Sequence, residues 1–399
     1  MAATSLYLHI PFCIHRCGYC DFNTYAGLNE LIPAYTQALG KELEFISDST
    51  ETRIPIHTIY FGGGTPSLLS ADLITEILRI VKEYYDLSPN AEISLEANPG
   101  TVTEDYFKQL KEIGVNRISL GMQTAYVGEL RLLERQHTYE DVVSAVEWAR
   151  AAGINNLNLD LIFGLPYQTL EAWQLSLVNA VSLKPEHLSL YALTLEHGTP
   201  MQHQVESGAL PAPDEDVMAD MYEASRQWLR EAGFIHYEIS NWAHIDQTGE
   251  PYTCKHNLQY WRSLPYIGVG AGAHGFVDHY RTVNISTPRA YIKRMDIQHQ
   301  PARETAKFPK TPATIQMRHI TPETEIGEFM MMGLRLVNEG VSDQEFLRRV
   351  GLSLHDKFSQ QIDRLVSLGL LECIGAPGET LRLTQKGQLL GNQVFKEFI

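Results

Sequence analysis

Cys13, Cys17 and Cys20 sit in the run HIPFCIHRCGYCDF, spaced C-x3-C-x2-C, with Tyr19 directly before the last of them. Three thiolates on one tight loop can hold three irons of a four-iron cluster and leave the fourth iron open to a small molecule. Clusters that only transfer electrons usually have four cysteines and a closed shell. The next cysteine here, Cys254, is far along the chain. Zinc is a competing reading, with His9 or His15 completing a mixed-ligand site. Unrelated buried thiols are the plainest reading, since free cysteine is often buried. That three of the five cysteines fall so close together argues against chance.

Other residues suited to chemistry recur down the chain. Gly62-Gly63-Gly64-Thr65 can turn sharply and approach a ligand closely, with backbone N–H and C=O groups to meet an ammonium or carboxylate. It lacks the Gly-Lys-Ser/Thr of a phosphate loop, and a tight strand-helix connection is the alternative. Glu96 and Asp160 are acids with apolar neighbours. Burial of a carboxylate is costly unless it is paired, so Glu96 suits a ligand amine and Asp160 a ribose hydroxyl. A structural ion pair with Arg117 or Arg135 is the alternative for each. In Cys254-Lys255-His256-Asn257-Leu258-Gln259-Tyr260-Trp261, a histidine beside stacked aromatics can ligate haem iron axially. Chemistry alone favours a core histidine under a Trp/Tyr cluster. His274 reads as a loop residue.

These residues need elements to position them. Runs of β formers at Ser5–Ile10, His57–Phe61, Glu92–Glu96, Arg117–Leu120, Asn156–Ile162 and His187–Leu193 predict six strands. Helical patterns alternate with them at Ile32–Phe45, Ala71–Tyr84, Thr103–Ile113, Tyr139–Ala152 and Leu170–Ser182, with Ser70 and Thr103 as N-caps and Gly114 and Gly153 at C-termini. The alternation predicts an α/β fold with a parallel sheet, curved as a partial (β/α)6 barrel, the doubly wound open sheet being the alternative. In a barrel, chemistry collects at the C-terminal strand ends. There the sequence puts the cysteine loop, the glycine run, Glu96 with Asn98, Gln123, Asp160, and Tyr191 with Thr194. Three regions are expected: residues 1–235 as the barrel, 236–324 as an aromatic-rich region and linker, and 325–399 as a small winged-helix-like α+β domain. The last reads as helices at Glu325–Asn338, Asp343–Val350 and His355–Leu368, then a hairpin, 370–374 and 380–384, around an Ala-Pro-Gly turn.

Composition narrows the partners. The 399 residues suit a chain of two or three domains. The net charge of −16 disfavours nucleic acid and anionic membranes. From Glu325 on there are eight Lys or Arg against ten Asp or Glu, so the winged-helix order does not bring a DNA-binding surface. No apolar run approaches the roughly 20 residues that span a bilayer. The first residues lack a signal peptide's basic start and apolar core. A cytoplasmic protein is the default, and five cysteines, an odd number with three clustered, do not suggest a disulfide framework.

YLHIPFCIHRCGYCDF, FGGGTPS, LEANPG, GMQT, ERQH, LDLIFGLP and KHNLQYWR together resemble one branch of the radical SAM superfamily. It contains oxygen-independent coproporphyrinogen III dehydrogenase and related haem chaperones. The resemblance covers nearly the whole chain. It implies that Cys13, Cys17 and Cys20 ligate a [4Fe-4S] cluster whose open iron is chelated by S-adenosylmethionine. It also implies cofactor contacts from Tyr7, Tyr19, Gly63, Gly64, Thr65, Glu96, Gln123, Arg135 and Asp160. Two departures from the dehydrogenase stand out: Phe22 replaces a further cysteine, and Tyr7 is almost at the terminus, without a long extension before the first strand. His256, Asn257, Tyr260 and Trp261 match the chaperones' H-N-x-x-Y-W haem motif, which makes His256 the expected haem-iron ligand and overrides the core-histidine reading. The resemblance thus implies a chaperone that binds haem and delivers it to acceptor haemoproteins, respiratory membrane enzymes among the candidates. Radical decarboxylation of coproporphyrinogen is the disfavoured alternative. Whether the chain is an enzyme, and whether it forms a homodimer, stay open.

Overall fold

The computed structural model describes residues 3–296, 307–375 and 379–399. Two compact units divide the chain. The first runs to Ser225 and resumes over Pro265–His319; the second combines Arg226–Leu264 with Ile320–Ile399. The region expected over 236–324 is therefore shared between them.

In the first unit, β1 (Thr4–Ile10), β2 (Pro55–Gly63), β3 (Asp86–Ala97), β4 (Arg117–Gln123), β5 (Leu157–Phe163) and β6 (His187–Ala192) lie side by side in chain order. All five pairings are parallel. A doubly wound sheet reverses its strand order at a switch point. From β1 to β6 no reversal occurs, so the winding is single, as in a partial barrel. Helices α1 (Ile32–Asp48), α2 (Ala71–Tyr84), α3 (Glu104–Ile113), α4 (Tyr139–Ala151) and α5 (Leu170–Ser182) fill the crossovers.

Local chemistry sets these boundaries. The Ser70 hydroxyl accepts from Leu73 N and opens α2, whose Ile74, Ile77, Leu78 and Val81 are buried at helical spacing. Each such side chain contributes roughly 1.5–3 kcal/mol by leaving water. Thr103 caps α3 in the same way, and Gly114 ends it in the left-handed region at φ 106°, where a side chain would be strained. Leu6, Leu8 and Ile10 of β1 are fully buried, as is Ser5 on the other face. Burial on both faces is the mark of a central parallel strand.

The stretch read as a linker is partly built into the same sheet. Beyond β1 come β7 (Tyr266–Val269), parallel to it, then the antiparallel β8 (His274–Val277), β9 (Tyr280–Asn284) and β10 (Thr314–His319). Helix α6 (Pro288–Met295) lies between β9 and β10, with Tyr291 and Met295 fully buried. The strand at 314–319 is exposed over most of its length, Ile315 and Met317 included, as it lies at the edge of the sheet. His274 opens β8 and is not a loop residue. Residues 297–306 of the expected linker lie outside the described residues.

Glu42 of α1 ties this late part of the chain to the early part. It is fully buried and accepts from Gly270 N at 2.9 Å, Asn284 Nδ2 at 2.9 Å, Tyr291 Oη at 2.6 Å and Thr311 Oγ1 at 2.6 Å. Nearby, Tyr35 Oη donates to His9 O at 2.8 Å and accepts from Ala271 N at 2.7 Å.

The second unit has helices Pro322–Gly333, Asp343–Val350 and Leu354–Ser367, then an antiparallel hairpin of Leu371–Ile374 with Thr380–Leu383. The first helix begins three residues earlier than expected, at a Thr321 cap, and stops at Gly333. Val341–Ser342 adds a short third strand, completing the winged-helix order. The Ala-Pro-Gly turn, residues 376–378, lies outside the described residues. Met330, Phe346, Leu381 and Phe395 belong to its core. Two short helices, Gln385–Leu389 and Gly391–Phe395, follow the hairpin and were not expected. The unit also holds the hairpin Ile235–Glu238/Asn241–Ala243 and the helix Lys255–Trp261. Among the described residues no helix is long and apolar enough to cross a membrane.

Glu42→Ala leaves four buried donors without their acceptor and should lower unfolding free energy by about 3 kcal/mol or more. Urea denaturation checks this; an unchanged midpoint would count against the role given to Glu42.

Candidate cofactor site

The cysteine loop begins where β1 ends. Phe12–Cys13 pairs in parallel with Tyr25–Ala26, which closes the loop at its base. The turn after β2 then lies directly on it. Gly64 N donates to Ile10 O at 2.8 Å, Thr65 N donates to Phe12 O at 2.8 Å, and Gly63 N donates to Glu96 Oε2 at 3.1 Å. These three N–H groups are thus engaged within the protein, contrary to the expectation that the run offers them to a ligand. Glycine is needed here for close approach. A Cβ on Gly64 would stand 2.6 Å from Phe12 O and 3.0 Å from Cys13 Sγ; one on Gly63, at φ 120°, would stand 2.6 Å from the His9 ring.

A cavity of about 660 Å3 opens beside the loop, within the usual range for small-molecule sites. All three cysteines line it, with Tyr19, Gly63, Gly64, Thr65, Glu96, Gln123, Arg135 and Asp160. The ends of all six parallel strands therefore meet at one space. Tyr7 is absent from that lining. It sits behind, hydrogen-bonded to His9 Nδ1 at 3.0 Å and stacked on Tyr60 at 6.3 Å.

The walls are electrostatically uneven. Glu96 accepts from Tyr60 Oη at 2.9 Å as well as from Gly63 N. Burial, reinforced by the charge of Asp160, pushes its carboxyl up to about 7. Asp160 is also raised by burial, against hydrogen bonds from Ser119, Asn158 and Ser189. Ser119 Oγ and Asn158 Nδ2 each reach it at 2.8 Å. Asn158 is held in turn by His187 Nδ1 at 2.6 Å and Ser189 Oγ at 3.1 Å, which fixes which way its amide faces.

Gln123 ends β4 in the left-handed region at φ 65°, after an irregularity in the β4–β5 register of the kind that re-aims a side chain. Arg135 donates to Gly121 O at 3.2 Å and reaches Cys17 Sγ at 3.9 Å, while its buried Nε has no partner among the described residues.

The cysteines are partly desolvated. Burial raises the thiols of Cys13 and Cys20, and the Thr65 hydroxyl donates to Cys13 Sγ at 3.6 Å. The zinc alternative fares poorly. His9 has both nitrogens engaged, Nδ1 with Tyr7 and Nε2 with Asn23 O at 2.9 Å. His15 pairs instead with Glu134 at 2.8 Å.

Sequence reasoning missed several wall residues, including Ser119, Glu134, Gln136 and His137. His137 is buried, with Nε2 bonded to Met122 O at 3.1 Å, and burial lowers it to about 4. The ERQH run carries three of these four, and its position after β4 was the available signal. Phe22, where a fourth nearby cysteine was noted as absent, stands at the rim with 65 % of its surface exposed.

His256 belongs to the second unit. It is 1 % exposed, on the helix Lys255–Trp261. Its Nε2 shares a 2.8 Å hydrogen bond with Tyr260 Oη, one helical turn on. The Arg335 guanidinium lies 5.1 Å from the Trp261 ring and the same distance from Phe395. In this conformation the histidine is a core residue of its unit, as chemistry alone suggested.

Residues 7–177 match the model of the Radical SAM superfamily, and residues 320–390 match that of the HemN C-terminal domain. The chain is 38% identical to "Heme chaperone HemW" of Bacillus subtilis, with 99% of each chain covered. It is 36% identical to "Heme chaperone HemW" of Escherichia coli, covering 99% of this chain and 98% of that one. "Radical S-adenosyl methionine domain-containing protein 1, mitochondrial" of Danio rerio is 37% identical over 86% of this chain and 74% of its own. A solved structure, "Coproporphyrinogen III oxidase (HemN) from Escherichia coli is a Radical SAM enzyme", superposes with a TM-score of 0.81 over 99% of this chain and 90% of that chain. Its identity of 23% makes this a likeness of fold.

Gly64→Ala should push the cysteine loop off the β2 turn, because the new methyl meets backbone and not a flexible side chain. Iron bound per chain after anaerobic reconstitution should fall at least about twofold, while far-ultraviolet circular dichroism stays close to wild type.

Proposed function

Because this chain belongs to the Heme chaperone HemW family of radical SAM proteins, we propose that it binds haem and delivers it to acceptor haemoproteins. The superfamily implies a [4Fe-4S] cluster and S-adenosylmethionine, and the residues present suit both. Among the described residues the cavity is bordered by three cysteine thiols and no fourth, all on one loop. The unpartnered Nε of Arg135 and the raised carboxyl of Glu96 leave polar capacity for a ligand in that cavity's walls.

In this reading Cys13, Cys17 and Cys20 hold three irons, with the Thr65 hydroxyl on Cys13 and the Arg135 guanidinium near Cys17 offsetting thiolate charge. Tyr19, Gly63, Gly64, Thr65, Glu96, Gln123 and Arg135 would enclose the cofactor, and Asp160, oriented by Ser119 and Asn158, would accept from its ribose. Tyr7 acts from behind, through His9 and Tyr60. When bound and reduced, the cluster and cofactor together supply one-electron chemistry. Glu96 gives its proton up as it accepts a cationic amine.

The observation that carries the haem reading is the helix Lys255–Trp261, which presents His256, Asn257, Tyr260 and Trp261 in the order of the haem motif. His256 is the proposed iron ligand. Phe22 in place of a cysteine supports trafficking over porphyrinogen decarboxylation. Respiratory membrane enzymes are the proposed acceptors, and the cytoplasm the proposed compartment.

Titration with ferric haem should give a Soret shift for wild type that His256→Ala loses, with affinity falling about tenfold or more; equal spectra and affinities would refute the role of His256. Coproporphyrinogen III under reducing, anaerobic conditions should yield no vinyl product from fully loaded protein, and product formation would restore the enzyme reading. S-adenosylmethionine binding should tighten as pH rises from about 5.5 towards 7 and then level, because Glu96 holds a proton below its raised value of about 7. Glu96→Gln should bind more weakly with a flat profile over that window, as isothermal titration would report.

A further inference from the structure

His256 Nε2 and Tyr260 Oη lie 2.8 Å apart, and their rings meet edge-on at 5.2 Å and 90°. Residues four apart on a helix share a face, so this contact is internal to one turn. Iron coordination at Nε2 needs a free lone pair there. If Tyr260 donates, that lone pair is taken; if Nε2 carries the proton and donates, it has none. Either tautomer closes Nε2 to a metal while the bond stands. Burial to 1 % exposure closes it sterically as well.

The helix bearing both residues has seven residues, no side-chain cap at Cys254, and His256 and Gln259 buried, with Cys254 N donating to Tyr237 Oη at 3.2 Å just before it; so short a helix depends on its packing. Just beyond its end, Arg262 pairs with Glu339 at 2.8 Å, but both side chains are about half exposed, where such pairs contribute little. Trp261 Nε1 and Ser263 Oγ, at and beyond the last turn, are buried without a partner among the described residues. Unsatisfied polar atoms of this kind destabilise the closed arrangement.

We propose that Tyr260 is a latch on His256: its hydroxyl keeps Nε2 closed until the turn that joins them opens, and so sets how fast haem iron is taken up. The latch rests on the haem-binding reading above and gives Tyr260 a role distinct from ligation. Opening must come before coordination, so uptake is limited at high haem by the opening step.

Stopped-flow mixing of the full chain with excess ferric haem tests this. The wild-type rate should saturate as haem rises. Tyr260→Phe removes only the hydroxyl and keeps the ring, and should raise the limiting rate roughly two- to tenfold, as expected for one hydrogen bond. A wild-type rate that stays linear in haem overturns the latch, whatever the variant does. So does a Tyr260→Phe limiting rate no higher than wild type while His256→Ala loses the ligation spectrum; that result leaves haem binding intact. His256→Ala with the wild-type spectrum and affinity overturns latch and haem-ligand assignment together.

Discussion

The cysteine loop and the Gly62–Thr65 turn approach each other to backbone hydrogen-bonding distance, Gly64 N to Ile10 O and Thr65 N to Phe12 O. No side chain intervenes at that contact, so the loop is positioned by main-chain geometry and not by rotamers. A backbone seat loses little entropy when a ligand arrives and is precise to the length of a hydrogen bond. Glu96 is fixed by the same turn, through Gly63 N. The wall that would meet a cofactor and the loop that would hold the irons are therefore set by one contact. This also accounts for the glycine run more directly than ligand binding does: two of its members stand where a methyl group would strike Phe12 O or the His9 ring.

The six strands and five helices were legible because their signals are local: alternating apolar runs, Ser70, Thr103 and Gly114 at helix ends, and glycine-rich turns. The convergence of Glu96, Gln123 and Asp160 with the cysteine loop followed from strand order alone, since a singly wound sheet must bring its C-terminal ends to one side. Less was visible where partners are distant in sequence. The strand Thr314–His319 belongs to the main sheet, yet its exposed edge reads as polar linker. Glu42, on α1, looks like an ordinary helical acid; its four donors lie more than 200 positions later. His137 could be found in ERQH only by knowing that β4 ends just before it. The unit formed by Arg226–Leu264 with the C-terminal module had no local sign at all.

Two kinds of polar burial coexist. Around Asp160, Ser119, Asn158 and His187 each buried group answers another, which fixes one geometry and resists change. Among the described residues, Trp261 Nε1, Ser263 Oγ and Arg335 Nε of the second unit are buried without partners. Such atoms occur in the first unit too, Arg135 Nε and His137 Nδ1 in the cavity wall among them, so full pairing is a local property of the Asp160 corner.

The supports of the cysteine loop have an order in time. Asn23 Nδ2 donates to Ala271 O and Ser286 O, Tyr35 links His9 to Ala271, and β1 has β7 at its side. Gly64 and Thr65, which seat the loop by backbone bonds, follow Cys13 by about 50 residues, whereas Ala271, Ser286 and β7 follow some 250 residues later. At a synthesis rate of about 5–20 residues per second, the loop gains its backbone seat within about 10 seconds and waits tens of seconds for these outer supports. A chain truncated before β7 would therefore keep the turn that seats its cysteines but lose the bonds that tie Asn23 and Tyr35 to Ala271.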